Sequence, residues 1–188
     1  MDRLAQAETN IRKFVNEHDL YEKYFKSFPN DWNLLTVAMD TLGDSTSALT
    51  HFERTGIGSD IQEKYLLFYG MFQAIVLQQD AISNLYRIFH RYDLMNSPKS
   101  AWQEIRKLRN MATGHPLDKS GSTLEGKLRI FVAQNSISIT GFMMIVCEKK
   151  TAKTRIQHVD FKTVCDKYKV EALGHLSKIE QVQKSDWS

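Results

Sequence analysis

The chain has little that would cross-link it or seat it in a membrane. Only two of its 188 residues are cysteines. Cys147 and Cys165 form no C-x-x-C pair, so the spacing of a zinc or redox motif is missing. Two separate thiols suit a reducing compartment. The longest apolar stretch, residues 65–77, is interrupted by Gln73 and falls short of the about 20 residues that a bilayer crossing needs. The first six residues carry no apolar signal core, which a secretory leader would require. These absences predict a cytoplasmic protein with no membrane partner. Charge of one sign is scarce too: 25 Lys and Arg stand against 22 Asp and Glu, a formal net charge of +3. So weak an excess permits a nucleic-acid partner without demanding one, because duplex binders carry a denser basic patch. The sequence has no glycine-rich phosphate loop, no H-E-x-x-H, no clustered His or Cys set and no G-x-S-x-G elbow. Nucleotide-loop, zinc and serine-hydrolase chemistry therefore have no foothold, and neither a metal nor another cofactor is expected.

What is present is mostly helical periodicity. Hydrophobic residues make up 42% and charged residues 25%, an ordinary globular mix, and the length suits one domain over residues 1–188. A first helix is expected from residue 2 to about 27, with a possible interruption at Asn16-Glu17-His18-Asp19. Phe28-Pro29-Asn30-Asp31 reads as a turn, with Asn30 or Asp31 as the next cap. Helical structure over about 32–54 is expected to break or kink at Gly43-Asp44-Ser45-Thr46-Ser47. After a loop at 55–60, capped by Ser59 or Asp60, a helix of about thirty residues runs from Ile61 to about His90. Its middle is apolar nearly all round, which marks the central helix of a bundle. Beyond residue 116 the apolar content turns β-branched and aromatic. Short strands are expected at 127–132, 137–147 and 154–159, a small antiparallel meander with turns at Gln134-Asn135 and 149–152. Asp160 caps a last helix from Phe161 to about Lys184, and residues 185–188 read as a tail. The expected fold is mainly α: helical over 1–115, a β meander over about 127–159, and a C-terminal helix over about 161–184.

The most informative stretch is residues 97–116. Ser97 suits a helix cap and Pro98 a first helical position. Ala101, Ile105, Leu108 and Ala112 mark one helical face. Gly114 is a natural left-handed stop and Pro116 forbids continuation. A helix thus delivers Arg109 and Asn110 in its last turn, and the chain then corners at His115.

Arg109, the amide Asn110, four further residues and His115 resemble the signature of the HEPN superfamily, whose ribonuclease members carry Arg, a polar residue and then His. The order of elements is similar as well, with a long central helix directly before the motif-bearing one. The β meander departs from the plain HEPN bundle. With nine arginines and six histidines, roughly one such spacing arises by chance, and a second does occur at Arg12 and His18. There Lys13 follows the arginine and no Gly or Pro intervenes. On a continuous helix positions six apart diverge by about 120°. At Arg109, by contrast, the helix stop lets His115 fold back.

The resemblance implies a metal-independent endoribonuclease. His115 would exchange protons with the 2′-oxygen or the 5′-oxygen, since imidazole titrates near pH ~6.5. Arg109 would stabilise the charged transition state, and Asn110 would position the phosphate or His115. It implies RNA as partner, a homodimer through the motif-bearing helices, and a toxin setting with an antitoxin protein. Two alternatives stay open: a non-catalytic module binding RNA, nucleotide or protein, and a structural dimerisation domain joined through the strands. The plain alternative at the motif is a packed Arg109 stem, a solvated Asn110 and a loop histidine. Gln78, Gln79 and Asp80, polar residues within or beside the apolar helix, either line the same cleft or hydrogen-bond inside the bundle. Lys149, Lys150, Lys153 and Arg155 either contact phosphates or cap a solvated hairpin. His18, His51, His90, His158 and His175 read as surface or packing residues.

Overall fold

A computed structural model describes residues 1–114, 128–148 and 151–188. The described chain is mainly helical, with a small antiparallel sheet before the C-terminal helix. Its elements are α1 (Asp2–Glu17), α2 (Pro29–Thr55), α3 (Ile61–His90), α4 (Ala101–Arg109), β1 (Leu128–Val132), β2 (Phe142–Glu148), β3 (Thr154–Val159) and α5 (Phe161–Asp186). Among the described residues no helix is long and apolar enough to cross a membrane. The chain divides into two compact units. Unit 1 comprises Met1–Arg54, Ala74–Ser97 and Lys169–Ser188; unit 2 comprises Thr55–Gln73 and Pro98–Tyr168.

Unit 1 is all helix. Leu4, Ile11 and Val15 put the apolar stripe of α1 into its core, beside Leu35 and Leu42 of α2, Leu85 and Phe89 of α3, and Leu176 and Ile179 of α5. The interruption expected near residue 18 is present: α1 ends at Glu17, Asp19 takes a left-handed φ of 50°, and Tyr21–Phe25 winds as a π turn. Two expectations are corrected. α2 begins at Pro29 itself, because proline's fixed φ and missing N–H suit a first helical position. And α2 runs unbroken through residues 43–47. The Ser45 hydroxyl donates back to the carbonyl of Thr41 at 2.6 Å, and buried Thr46 accepts from the Gln78 amide at 2.7 Å. A buried partner on α3 thus offsets the weak helix propensity of this run. The tail is corrected as well: Trp187 is 4% exposed, its indole N–H donates to the Phe89 carbonyl at 3.1 Å, and its ring stacks on Phe25.

Unit 2 is mixed. Gly56 and Gly58 take φ of 76° and 75° in the loop before α3, and the Asp60 carboxylate accepts from the N–H groups of Gln62 and Glu63, both at 3.1 Å. That cap fixes the start of α3 where periodicity places it. β1, β2 and β3 form the expected meander in that order, with Ile130 opposite Val146 and Met144 opposite Gln157. Phe68 and Phe72 of α3 meet Phe142 of β2 and Phe161 of α5, with ring centroids 4.9 to 6.1 Å apart. The second strand is shorter than expected. Residues 137–141 form a local turn in which the Ser138 hydroxyl donates to the Gly141 carbonyl at 2.9 Å and accepts from its N–H at 3.1 Å. Asp160 caps α5, as expected, by accepting from the Thr163 N–H at 3.1 Å.

Candidate functional site

α4 starts later than expected. The cap is Ser100, whose hydroxyl accepts from the Gln103 N–H at 3.3 Å; Ser97 precedes the helix and Pro98 lies in a turn. Ser100 is followed three residues later by Gln103, the spacing of a capping box, and this outweighs the Ser97-Pro98 signal. Trp102, Ile105 and Leu108 then face the core of unit 2, Trp102 against Tyr168 at 5.6 Å. Arg109 is the last α-helical residue.

Past Arg109 the helix widens. Asn110–Gly114 winds as a π turn, so the chain does not leave the helix at Asn110 and winding continues through Gly114. Thr113 donates its hydroxyl to the Arg109 carbonyl at 3.0 Å, meeting one of the acceptors that a helix end leaves open. Single π turns occur frequently at functional sites. His115 lies outside the described residues, as do Lys149 and Lys150.

The Arg109 side chain is half-buried. Its guanidinium donates to Asn110 Oδ1 at 3.2 Å and to Gln73 Oε1 of α3 at 3.4 Å. Both partners are neutral amides, and among the described residues no carboxylate pairs with it. A guanidinium carries five N–H donors and stays cationic at any physiological pH. Two fix its orientation here. Gln73 was not among the expected site residues. Its signal in the sequence is that it alone interrupts the 65–77 apolar stretch. It lies on the exposed face of α3 in unit 2 with Leu66, Tyr69 and Gly70; Leu66 is 74% exposed, and the space above Gly70 is open.

Other candidates fall elsewhere. Gln78 belongs to unit 1, is wholly buried and donates to Thr46, so a strand of RNA has no access to it. Gln79 is equally buried, and Asp80 is exposed on α3. Lys153 and Arg155 are exposed in unit 2, at the start of the hairpin's second strand. The second Arg/His pair does not converge. Arg12 is engaged by Glu8 at 2.7 Å, Asp40 at 3.0 Å and the Met39 carbonyl at 2.8 Å, while His18 stacks on Phe14 and bonds its carbonyl. His90 packs on Tyr86 at 3.9 Å, and His175 Nε2 meets Asn96 Oδ1 at 2.9 Å. Burial pushes both imidazoles below their ordinary pKa, with Lys178 adding to the effect.

Comparison with known protein families, curated proteins and solved structures finds no match to this chain.

Proposed function

We propose that the protein is a metal-independent endoribonuclease of the HEPN kind, with Arg109, Asn110 and His115 as its catalytic set. The observation that carries this reading is the half-buried Arg109 guanidinium, oriented by two neutral amides and paired with no carboxylate among the described residues. A cation arranged in this way suits a phosphodiester. RNA supplies its own nucleophile: the 2′-oxygen attacks phosphorus as it loses its proton, and the 5′-oxygen leaves as it gains one. The products are a 2′,3′-cyclic phosphate and a 5′-hydroxyl. Arg109 stabilises the negative charge that builds on the non-bridging oxygens. His115 exchanges one of the two protons, and Asn110 holds Arg109 or the phosphate in place.

One motif offers one histidine, and two offer an acid and a base. The exposed face of Leu66, Tyr69, Gly70 and Gln73 supports pairing with a second copy, because it is partly apolar and includes the residue that holds Arg109. The RNA partner, the homodimer and an antitoxin protein that masks the site all belong to this proposal. The test is cleavage of a mixed-sequence RNA in EDTA, with cyclic-phosphate ends identified on the products. Wild type cuts and His115→Ala does not, with unchanged helical circular dichroism. Cutting that survives His115→Ala places the activity elsewhere. RNA binding with no cleavage by wild type replaces the enzyme with a binding module.

A further inference from the structure

Gln73 accepts from the Arg109 guanidinium at 3.4 Å, and four residues before it, on the same face of α3, stands Tyr69. Residues four apart are neighbours on a helix, about 6 Å along its axis. The Tyr69 ring is held in place. Tyr65 stacks on it with centroids 5.7 Å apart, and Phe68 meets it edge-on at 6.1 Å. Tyr65 is fixed in turn by its hydroxyl, which donates to the Val132 carbonyl of β1 at 3.2 Å. Tyr69 nevertheless stays 41% exposed. Gly70 beside it is a second, independent mark. Glycine weakens a helix interior, and the fold does not call for one here: its φ is not left-handed, and a Cβ would meet nothing within 4 Å. What glycine permits at such a place is the close approach of another group to the backbone.

We infer that Tyr69 is the base-stacking residue of the site: a nucleotide joined through the phosphate at Arg109 lays its base on the Tyr69 ring, over the bare backbone at Gly70. This rests on the ribonuclease reading and gives it a substrate class, RNA that is unpaired at the cleaved linkage, because a base inside a duplex is not free to stack on a side chain. An aromatic ring beside a phosphate-binding cation is how proteins hold single strands. Such a ring accepts any base, since every base has a π-face. Leu66, 74% exposed and two turns from Gln73 instead of one, is the part of the face left to the pairing of copies.

The test uses the full chain and a labelled RNA of about twelve nucleotides, a length within the range of single-strand sites. One ribose keeps its 2′-hydroxyl and all others are 2′-O-methylated, so a single linkage can be cut. Two companion strands carry a stable abasic sugar on one or the other side of that linkage. Rates are compared as kcat/KM in EDTA. On the intact strand Tyr69→Ala and Tyr69→Leu cut about tenfold more slowly than wild type, in keeping with one lost stack, and Tyr69→Phe, which keeps the ring, restores cutting. On one of the abasic strands wild type slows by the same factor and matches the Ala and Leu variants. Gly70→Leu, a better helix former, cuts the intact strand more slowly while its melting temperature holds or rises. Equal slowing of Tyr69→Ala and Tyr69→Leu on all three strands gives the ring a structural role and overturns the inference. So does an undiminished rate in Gly70→Leu. So does a Tyr69→Ala variant that sediments as a smaller species and cuts the intact strand like wild type, since the ring is then a contact between copies. If wild type cuts no strand but binds the fully 2′-O-methylated one, the ribonuclease reading fails. The same comparison of intact and abasic strands by anisotropy then decides the stack: a tenfold loss confined to the intact strand keeps it, and an equal loss on all strands overturns it. If wild type neither cuts nor binds, both readings fall.

Discussion

Unit 1 and unit 2 treat their polar groups in opposite ways. In unit 1 several face inward and are matched. Gln78 donates to Thr46, Trp187 to the Phe89 carbonyl, and His175 pairs with Asn96. Glu53 is held by Lys169 and, at 2.9 Å, by the amino terminus. In unit 2 the groups at the candidate site lie nearer the surface. Arg109 is oriented by amides without a counter-charge among the described residues, Gln73 is exposed, and Phe131 and Ile156 of the sheet face outward. A matched buried polar group specifies a fold, because breaking it costs a full desolvation penalty. A partly matched cation near the surface is a place for a ligand. The contrast predicts that substitutions in unit 1 register as stability and substitutions at the unit 2 site as activity.

The largest expected effect is on activity. Arg109→Ala is expected to reduce RNA cleavage about 100-fold or more, the usual scale for removing a preorganised transition-state donor. The melting temperature is expected to change little, because among the described residues Arg109 is bonded only to two neutral amides. Single-turnover cleavage and a thermal melt on the same sample check both halves. A large fall in melting temperature would mean that Arg109 is a structural residue, and the contrast would collapse. Gln73→Ala, which loosens Arg109 without touching its charge, is expected to give a smaller loss, about tenfold, on the scale of one positioning hydrogen bond.

Trp187→Ala is the converse. The ring is buried against Phe25, Phe89 and Tyr24, with the Arg91 guanidinium 4.6 Å above it. Truncating so large a core side chain typically costs about 3–5 kcal/mol. Urea unfolding should show that loss, while cleavage at low temperature persists in whatever fraction stays folded. Gly141→Ala comes next in size. A Cβ there would overlap the Val159 carbonyl oxygen, so the turn between the 137–141 loop and the end of β3 must shift, at about 1–3 kcal/mol as for other overpacked sites. Because Gly141 lies in unit 2 and hydrogen-bonds Ser138, while Arg109 is held by Asn110 and Gln73, an undiminished cleavage rate in the folded fraction would show that openness belongs to the site and not to the whole unit.

Local rules reached far in this chain. α3 matches its expected bounds because its two ends are set by nearby residues: left-handed glycines and the Asp60 cap before it, Arg91 with φ of 63° after it. The meander was visible as a change from Leu and Ala to β-branched residues. What the sequence hid was whatever depended on a distant partner. Gly43 to Ser47 looks like a break until Gln78 is placed against Thr46. Trp187 looks like tail until Phe25 and Phe89 are around it. At the site, Arg109 and Asn110 could be picked out by motif. Gln73 could not, since only the pairing of α3 with α4 brings it within 3.4 Å. The π turn was invisible for another reason: the apolar spacing from Ala101 to Ala112 fits an ordinary α-helix and carries no mark of where the winding widens.

The smallest expected effect is the dependence of stability on pH, and it separates the units by where they titrate. His90 and His175 of unit 1 are held below the ordinary imidazole range by burial, with Lys178 disfavouring charge on both; Asp186 opposes this at His90 and Glu171 at His175. Tyr86, whose own pKa is pushed up to about 12 by its contact with Tyr92 and by burial, lies against both rings and stays neutral throughout. As pH falls, the unfolded histidines take up protons before the folded ones do. Their contribution is therefore complete above an unfolded pKa of about 6.5 and is lost as pH drops through the lower folded values, at no more than about 1.4 kcal/mol per pH unit for each proton. In unit 2 the carboxyl of Asp160 is lowered by the Thr163 N–H and hydroxyl that it caps; its contribution is present above the ordinary carboxylate range and fades only below it. Hydrogen exchange at pH 7.5, 6.5 and 5.5, corrected for intrinsic rates, should thus show peptides of unit 1 losing protection across this interval while the α5 N-terminus in unit 2 holds. The double substitution His90→Gln and His175→Gln should flatten the response of unit 1. Equal loss in both units, or a response unchanged in the double variant, would mean that the buried histidines do not set the difference between them.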